Sequence, residues 1–132
     1  MSLHAQIKAE EEIYPMIADG GKDYSEALEY IRQNRPATIV LRLVDEILKR
    51  DEKPEVQQRF VQALRVYPTS DVIQPWIEVL NGTKRYDLKE EVVGIVSEVN
   101  SRDLVIPLAQ LLRSPVSSLR GKAVQTLVKV GD

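Results

Sequence analysis

The 132-residue sequence contains no cysteine and one histidine, His4. Without cysteine the chain has no disulfide, no thiolate metal site and no cysteine nucleophile. A Ser-His-acid arrangement or a histidine-based metal site would depend on His4, which we interpret as a solvated surface residue near the N-terminus. The residues therefore predict no catalytic constellation, no metal site and no cofactor, and we expect a protein that is not an enzyme.

Long apolar runs are also missing from the sequence. No run approaches the roughly 18 residues that a membrane span needs, and the first residues, MSLHAQIKAEEE, lack the basic start and apolar segment of a signal peptide. We expect no membrane partner and a cytoplasmic location. The contents of 43% apolar and 29% charged residues are ordinary for a soluble protein, and 132 residues fit one domain.

The chain does not carry the excess of positive charge typical of nucleic-acid-binding domains, because its net charge is −2. Charge alternates along the chain instead: residues 1–34 carry −4, residues 35–69 carry +2, residues 70–101 carry −3 and residues 102–132 carry +3. Nucleic acid is therefore an unfavoured partner, with the 102–132 block as the best candidate for weak binding.

A repeat is present. The segments DVIQPWIEVL (71–80) and DLVIPLAQLL (103–112) match without a gap at an offset of 32 residues, with Pro75 and Pro107 at the same position of an amphipathic helical pattern. If Ser70 caps the first of these helices, its proline lies about five residues inside and bends the helix near its start. Two prolines in one register indicate a repeated geometric requirement.

A second apolar pattern follows each first helix, with the spacing i, i+4, i+8, i+11 of one face of a helix. It comprises Val56, Phe60, Leu64 and Tyr67, then Leu88, Val92, Val96 and Val99, then Leu119, Ala123, Leu127 and Val130. The unit is thus a helix pair, repeated over 35–69, 70–101 and 102–132. Residues 1–34 resemble a degenerate fourth copy, in which Tyr24 and Leu28 take the second-helix positions.

These patterns predict an all-α fold of about four stacked, antiparallel helix pairs in a single domain over residues 1–132. The sequence shows no sustained alternation of apolar and polar residues, which is the pattern typical of a β-strand. Ser101 is a second predicted N-cap, and Pro54 suits the first turn of its helix. Asn100 and Gly131 stand at predicted helix ends, where both residue types tolerate a left-handed conformation.

Residues 103–132, DLVIPLAQLLRSPVSSLRGKAVQTLVKVGD, resemble a HEAT repeat of the short kind called PBS-lyase HEAT-like. They share its first helix with an internal proline and paired leucines, its short turn, and its second helix that opens with Leu119–Arg120 and ends in Gly131–Asp132. The 70–101 unit has Lys89 in place of the arginine, and the 35–69 unit keeps only the apolar pattern, as an armadillo-like repeat also would. The resemblance implies an α-α superhelix, or HEAT-like solenoid, in which each unit contacts only its neighbours and the second helices line a concave face that binds other proteins.

We therefore expect an interaction scaffold whose partner-binding residues lie in rows across the second helices. The predicted residues are Arg59, Gln62, Glu91, Gly94, Glu98, Lys122, Gln125 and Lys129. An alternative interpretation of Arg59, Glu91 and Lys122 is a ladder of alternating charge that joins the units. Trp76 aligns with apolar positions of the other units, and we predict that it packs in the core with its indole N–H bound to a partner.

The outer side of the 102–132 unit is predicted to expose Val116, Leu119, Val124 and Val128. These residues would make an end-to-end contact in a homodimer, or would face a further unit if the chain is a fragment of a longer solenoid. Two other functions stay open at this point. The family name suggests an accessory or lyase-like factor that attaches or removes a bilin chromophore, and some HEAT-like solenoids bind nucleic acid.

Overall fold

The structure, a computed structural model, describes residues 3–131, with side chains described for residues 10–130. His4 and Asp132 therefore lie outside the described side chains. Within the described residues the chain forms eight α-helices and three short 3-10 helices and contains no strand, which confirms the all-α prediction. The α-helices are α1 (Leu3–Asp19), α2 (Gly21–Asn34), α3 (Val40–Ile47), α4 (Pro54–Arg65), α5 (Ile73–Gly82), α6 (Tyr86–Val96), α7 (Val105–Leu111) and α8 (Ser117–Gly131).

Consecutive helices form four packed pairs: α1 with α2, α3 with α4, α5 with α6, and α7 with α8. The chain divides into two compact units, Met1–Pro68 and Thr69–Asp132, and each contains two of these pairs. This division lies next to the boundary between residues 69 and 70 that the repeat predicts.

In the first unit, α1 packs against both α2 and α4, and α3 packs against α4. The side chains between these helices are apolar, and each stabilises the fold by roughly 1.5–3 kcal/mol through its removal from water. The most deeply buried of them include Ile17, Ile31, Leu43, Ile47, Phe60 and Leu64. At the end of α4 the buried Tyr67 hydroxyl donates a hydrogen bond of 2.6 Å to the carbonyl oxygen of Pro36. Burial raises the pKa of this phenol above its ordinary value.

In the second unit the two first helices lie side by side, and so do the two second helices. α5 packs against α7, and α6 packs against α8, in addition to the contacts within each pair. The core comprises Val72, Trp76, Leu80, Leu88, Val92, Val96, Leu104, Leu108, Leu119 and Ala123, all buried. The second unit is thus two helix pairs that repeat one arrangement.

The repeated prolines lie in the first turn of their α-helices, not about five residues inside as the sequence suggested. Thr69–Val72 and Arg102–Leu104 are 3-10 helices, and the α-helices that follow begin only at Ile73 and Val105. Pro75 and Pro107 are therefore third residues of their α-helices. The first N–H groups of an α-helix have no carbonyl partner, so a proline there removes no α-helical hydrogen bond.

The predicted apolar face of the second helices is largely confirmed, except in α2. The pattern has three clear copies, which begin in α4, α6 and α8. All of its residues in these copies are buried except Val56, Val99 and Leu127, which are half-buried. In α2 the predicted Tyr24 and Leu28 are half-buried, while Ala27 and Ile31 fill the core. These two stand 33 residues before Phe60 and Leu64, so the first copy is offset by one residue from the predicted register.

Helix ends follow the prediction in part. Ser101 is an N-cap, since its hydroxyl accepts a hydrogen bond from the backbone N–H of Asp103, and Pro54 begins α4. Ser70 lies within a 3-10 helix and is not a cap. Asn100 does not adopt a left-handed conformation, whereas Arg35 does so at the end of α2, with φ of 42°. Its backbone N–H donates to the carbonyl oxygen of Ile31, which ends the helix.

Trp76 is fully buried, as predicted for a core residue. Among the described side chains, however, its indole nitrogen finds no hydrogen-bond partner, so the predicted partner for the N–H is wrong. A buried polar group left in this state costs about 1–3 kcal/mol. Packing of the large ring in the second unit outweighs that cost.

Candidate functional site

An open groove of about 320 Å³ lies between α6 and α8 in the second unit. We name it the α6–α8 groove. α6 contributes one wall and α8 contributes the other, because the two second helices lie side by side. The residues that line it are Val93, Gly94, Ser97, Lys122, Gln125, Thr126 and Lys129.

Gly94 keeps the α6 side of this groove open. A Cβ atom added at Gly94 would meet no atom within 4 Å, so the space above the helix backbone is free. Val93 beside it and Thr126 across from it are buried and form the base. The Thr126 hydroxyl donates to the Lys122 carbonyl oxygen at 2.8 Å, so its polar atom is satisfied within α8.

Two lysines of α8 are tied to α6. The Lys129 ammonium donates a hydrogen bond of 2.6 Å to the Ser97 carbonyl oxygen, at the C-terminal end of α6, where a positive charge is favourable. The Lys122 ammonium lies 3.8 Å from a carboxylate oxygen of Glu90, and Glu90 also accepts a hydrogen bond from the Ser118 hydroxyl. These contacts place two ammonium groups along the same side of the groove.

The structure brings together half of the residues predicted to bind a partner. Gly94, Lys122, Gln125 and Lys129 all line the α6–α8 groove. Of the other predicted residues in this unit, Glu91 is half-buried on α6 and Glu98 is exposed just beyond the end of α6. The carboxylate paired with Lys122 belongs to Glu90, the neighbour of the residue in the predicted charge ladder.

Arg59 and Gln62 belong to the first unit and have other surroundings. The Arg59 guanidinium donates a hydrogen bond of 2.7 Å to the Ala18 carbonyl oxygen in the last turn of α1. Arg59 therefore holds the end of α1. Gln62 lines a separate open depression of about 380 Å³. Its other lining residues are Tyr24, Leu28, Arg32, Arg65 and Val66.

The residues predicted to make an end-to-end contact differ in exposure. Val124 and Val128 are exposed, at 48% and 62%, as expected. Val116 is half-buried. Leu119 is 0% exposed, so the prediction that it belongs to an exposed surface is wrong: it points into the core shared by α7 and α8.

Sequence reasoning missed three lining residues, Val93, Ser97 and Thr126. Helical spacing could have found two of them. Ser97 follows Gly94 by three residues, and Thr126 follows Lys122 by four, so each lies on the same helix face as a predicted residue. Helical spacing could not have identified Val93 as a lining residue, because an apolar side chain at its position is typical of the core.

Among the described side chains, no group of three acidic or histidine residues is placed to hold a metal ion. None of the helices described is both long enough and apolar enough to cross a membrane. Comparisons with protein-family models, with curated proteins and with solved structures find no match.

Proposed function

We propose that the chain is a helical-repeat protein of the HEAT type, which binds an extended segment of another protein in the α6–α8 groove and catalyses no reaction. The observation that carries the proposal is the open groove between two neighbouring second helices, in which two of the lining residues, Gly94 and Gln125, stand at matched repeat positions. A scaffold of packed helices offers such a groove without further rearrangement, as most binding sites do.

The spacing of the two lysines favours an extended ligand. Lys122 and Lys129 are seven residues apart on α8, which corresponds to about 10 Å along the helix axis. A peptide in the extended polyproline II conformation covers that distance with about three residues, which make one turn, so side chains three positions apart point to the same side. Gln125 lies between the lysines, and its side-chain amide can both donate to and accept from a peptide backbone.

The charge of the groove favours carboxylates. Each ammonium carries three N–H donors, so the contacts of Lys122 with Glu90 and of Lys129 with Ser97 leave donors for a ligand. We therefore propose a segment with two Asp or Glu residues about three positions apart. Contacts of this kind add specificity and association rate more than affinity, and salt weakens them.

The experiment uses a fluorescent extended peptide with two glutamates three positions apart, and the same peptide with lysines in their place. Anisotropy should show salt-sensitive binding of the glutamate peptide and much weaker binding of the lysine peptide. Gly94→Trp should abolish binding, since the ring fills the groove. Gly94→Ala is the matched control: its methyl group meets open space, so it should retain binding and stabilise the helix by about 0.5–1 kcal/mol.

Two results would contradict this function. One is a folded Gly94→Trp protein, verified by circular dichroism, that binds the glutamate peptide as the wild type does. The other is equal binding of the glutamate and lysine peptides, which would remove the role of Lys122 and Lys129.

A further inference from the structure

In the second unit, one surface of the α5–α6 pair is covered by α7 and α8, whereas the equivalent surface of the α7–α8 pair is exposed. Ile77, Leu80 and Val93 of the α5–α6 pair are buried, at 9%, 1% and 1% exposure. α7 packs against α5 and α8 packs against α6 in this unit. The repeat offsets of 32 and 31 residues give their counterparts as Ala109, Leu112 and Val124, all exposed.

The exposed counterparts belong to an apolar surface that we name the α7–α8 flank, formed by Val105, Ala109, Leu112, Val124 and Val128. The four larger side chains are 41%, 41%, 48% and 62% exposed, respectively. On α7 this surface borders an open groove of about 490 Å³ that also includes Ile106, which is 70% exposed. Exposed apolar groups of this kind in one place mark an interaction surface.

Basic side chains lie beside the α7–α8 flank. From Leu104 to Gly131 the sequence contains no acidic residue. Arg113 lines the groove on α7, and Arg120 lies one turn before Val124 on α8. In the described part of the chain, neither arginine has a carboxylate within salt-bridge distance.

We propose that the α7–α8 flank binds an amphipathic helix of another protein, with an apolar face bordered by Asp or Glu side chains. A helix is the fitting shape because the equivalent α5–α6 surface packs against helices. Acidic borders match Arg113 and Arg120. A second copy of this chain would bring like charges together if it presented the same surface, and that repulsion opposes a symmetric pair.

This proposal concerns a different surface from the α6–α8 groove and does not depend on the function proposed for that groove. The flank variants leave Gly94, Lys122 and Lys129 unchanged, and the groove variant Gly94→Trp leaves the flank unchanged. A negative result for the flank would therefore leave the proposed function of the α6–α8 groove intact, and a negative result for the groove would leave the flank proposal intact.

The test uses two labelled synthetic amphipathic helices with one leucine face, bordered by glutamates in one and by lysines in the other. Anisotropy should give at least roughly tenfold tighter binding of the glutamate helix to the wild type. Val124→Asn/Val128→Asn should abolish that binding, and Arg113→Glu should reduce the ratio. Leu41→Asn is the matched control, because Leu41 is 68% exposed on α3 in the other unit.

Several results would overturn the proposal. Equal binding of the two helices would remove the charge preference. Unchanged binding by a folded Val124→Asn/Val128→Asn protein, or loss of binding by Leu41→Asn, would place the contact elsewhere. Sedimentation showing a dimer of the full chain that Val124→Asn/Val128→Asn dissociates would make a second copy the occupant.

Discussion

Glu46 is a buried carboxylate held by two cations close to it in the sequence. One of its oxygens accepts hydrogen bonds from the Arg42 guanidinium at 3.0 Å and from the Lys49 ammonium at 2.8 Å. Burial raises the pKa of Glu46, but the hydrogen bonds from Lys49 and Arg42 outweigh it, so the net pKa is lowered from 4.5. The Arg42 guanidinium also lies 4.4 Å from the centre of the Tyr14 ring, which fixes its position.

We expect Glu46→Gln to reduce the free energy of unfolding by about 1–2 kcal/mol at neutral pH. The folded-state pKa lies below the unfolded value, so the contribution of the carboxylate is complete above about pH 4.5 and is lost as pH falls through the folded pKa. Urea unfolding of both proteins from neutral pH to pH 3 should show the difference shrinking.

Glu26→Gln is the control for that experiment, since Glu26 is an exposed carboxylate in the same unit. It should change stability by less than about 0.5 kcal/mol at every pH. If the difference in the free energy of unfolding between the wild type and Glu46→Gln stays constant down to pH 3, the loss of stability comes from packing rather than from charge.

At the scale of helices, the turn between α1 and α2 depends on two glycines with positive φ. Gly20 has φ of 76° and ψ of −162°, a region of the backbone that is essentially restricted to glycine, and Gly21 has φ of 73°, so an alanine at either position is strained by about 1–3 kcal/mol. A Cβ at Gly20 would lie 2.9 Å from the Arg59 side chain, whereas a Cβ at Gly21 meets nothing within 4 Å. We expect Gly20→Ala to be the more destabilising by about 1 kcal/mol, because it displaces Arg59 from the Ala18 carbonyl.

A double-mutant cycle checks the origin of that difference by urea unfolding. In an Arg59→Ala background the contact is absent, so the excess destabilisation of Gly20→Ala over Gly21→Ala should fall by about 1 kcal/mol. If that excess is unchanged without Arg59, backbone strain at Gly20 and not the arginine contact is responsible.

Apolar periodicity predicted the helices better than it predicted their ends. The first residues of α5 and α7 were wrongly placed, because a 3-10 turn and an α-helical turn share the same apolar spacing over so few residues. Pro75 is compatible with both, since it donates no hydrogen bond in either. In α2 the error of one residue has a similar cause: Tyr24 and Leu28 satisfy helical spacing as well as Ala27 and Ile31 do, and only packing against α1 decides between them.

In the candidate site, positions that depend on local helical spacing or on the repeat were predictable, whereas contacts between residues far apart in the sequence were not. Lys122, Gln125 and Lys129 were predictable because helical spacing puts them on one face of α8, and Gly94 was predictable because the repeat places it at the position of Gln125 on α6. Arg59 was not, because its partner Ala18 is 41 residues away and no repeat position marks that contact. Leu119 was predicted both for the apolar face of its helix and for the exposed end contact, because only the way in which α7 and α8 meet decides whether such a residue belongs to the core or to the surface.

At the scale of the whole chain, the repeat predicted four helix pairs, and each compact unit contains two. We expect residues 1–68 and residues 69–132, produced separately, each to fold into a helical structure with a cooperative thermal transition. Each has its own buried core, although domains of this size bury only about 60% of their surface and have a stability of roughly 3–10 kcal/mol.

Leu64→Asp in the first segment and Leu108→Asp in the second are the controls, since both leucines are 0% exposed. Isolated helices shorter than about 12–15 residues are marginal in water, so the helical circular dichroism of each segment must come from packing. The aspartate variants should therefore lose both the helical signal and the transition. A segment that is unfolded without substitution, or whose helical signal survives the aspartate, would show that its core as described here does not stabilise it alone.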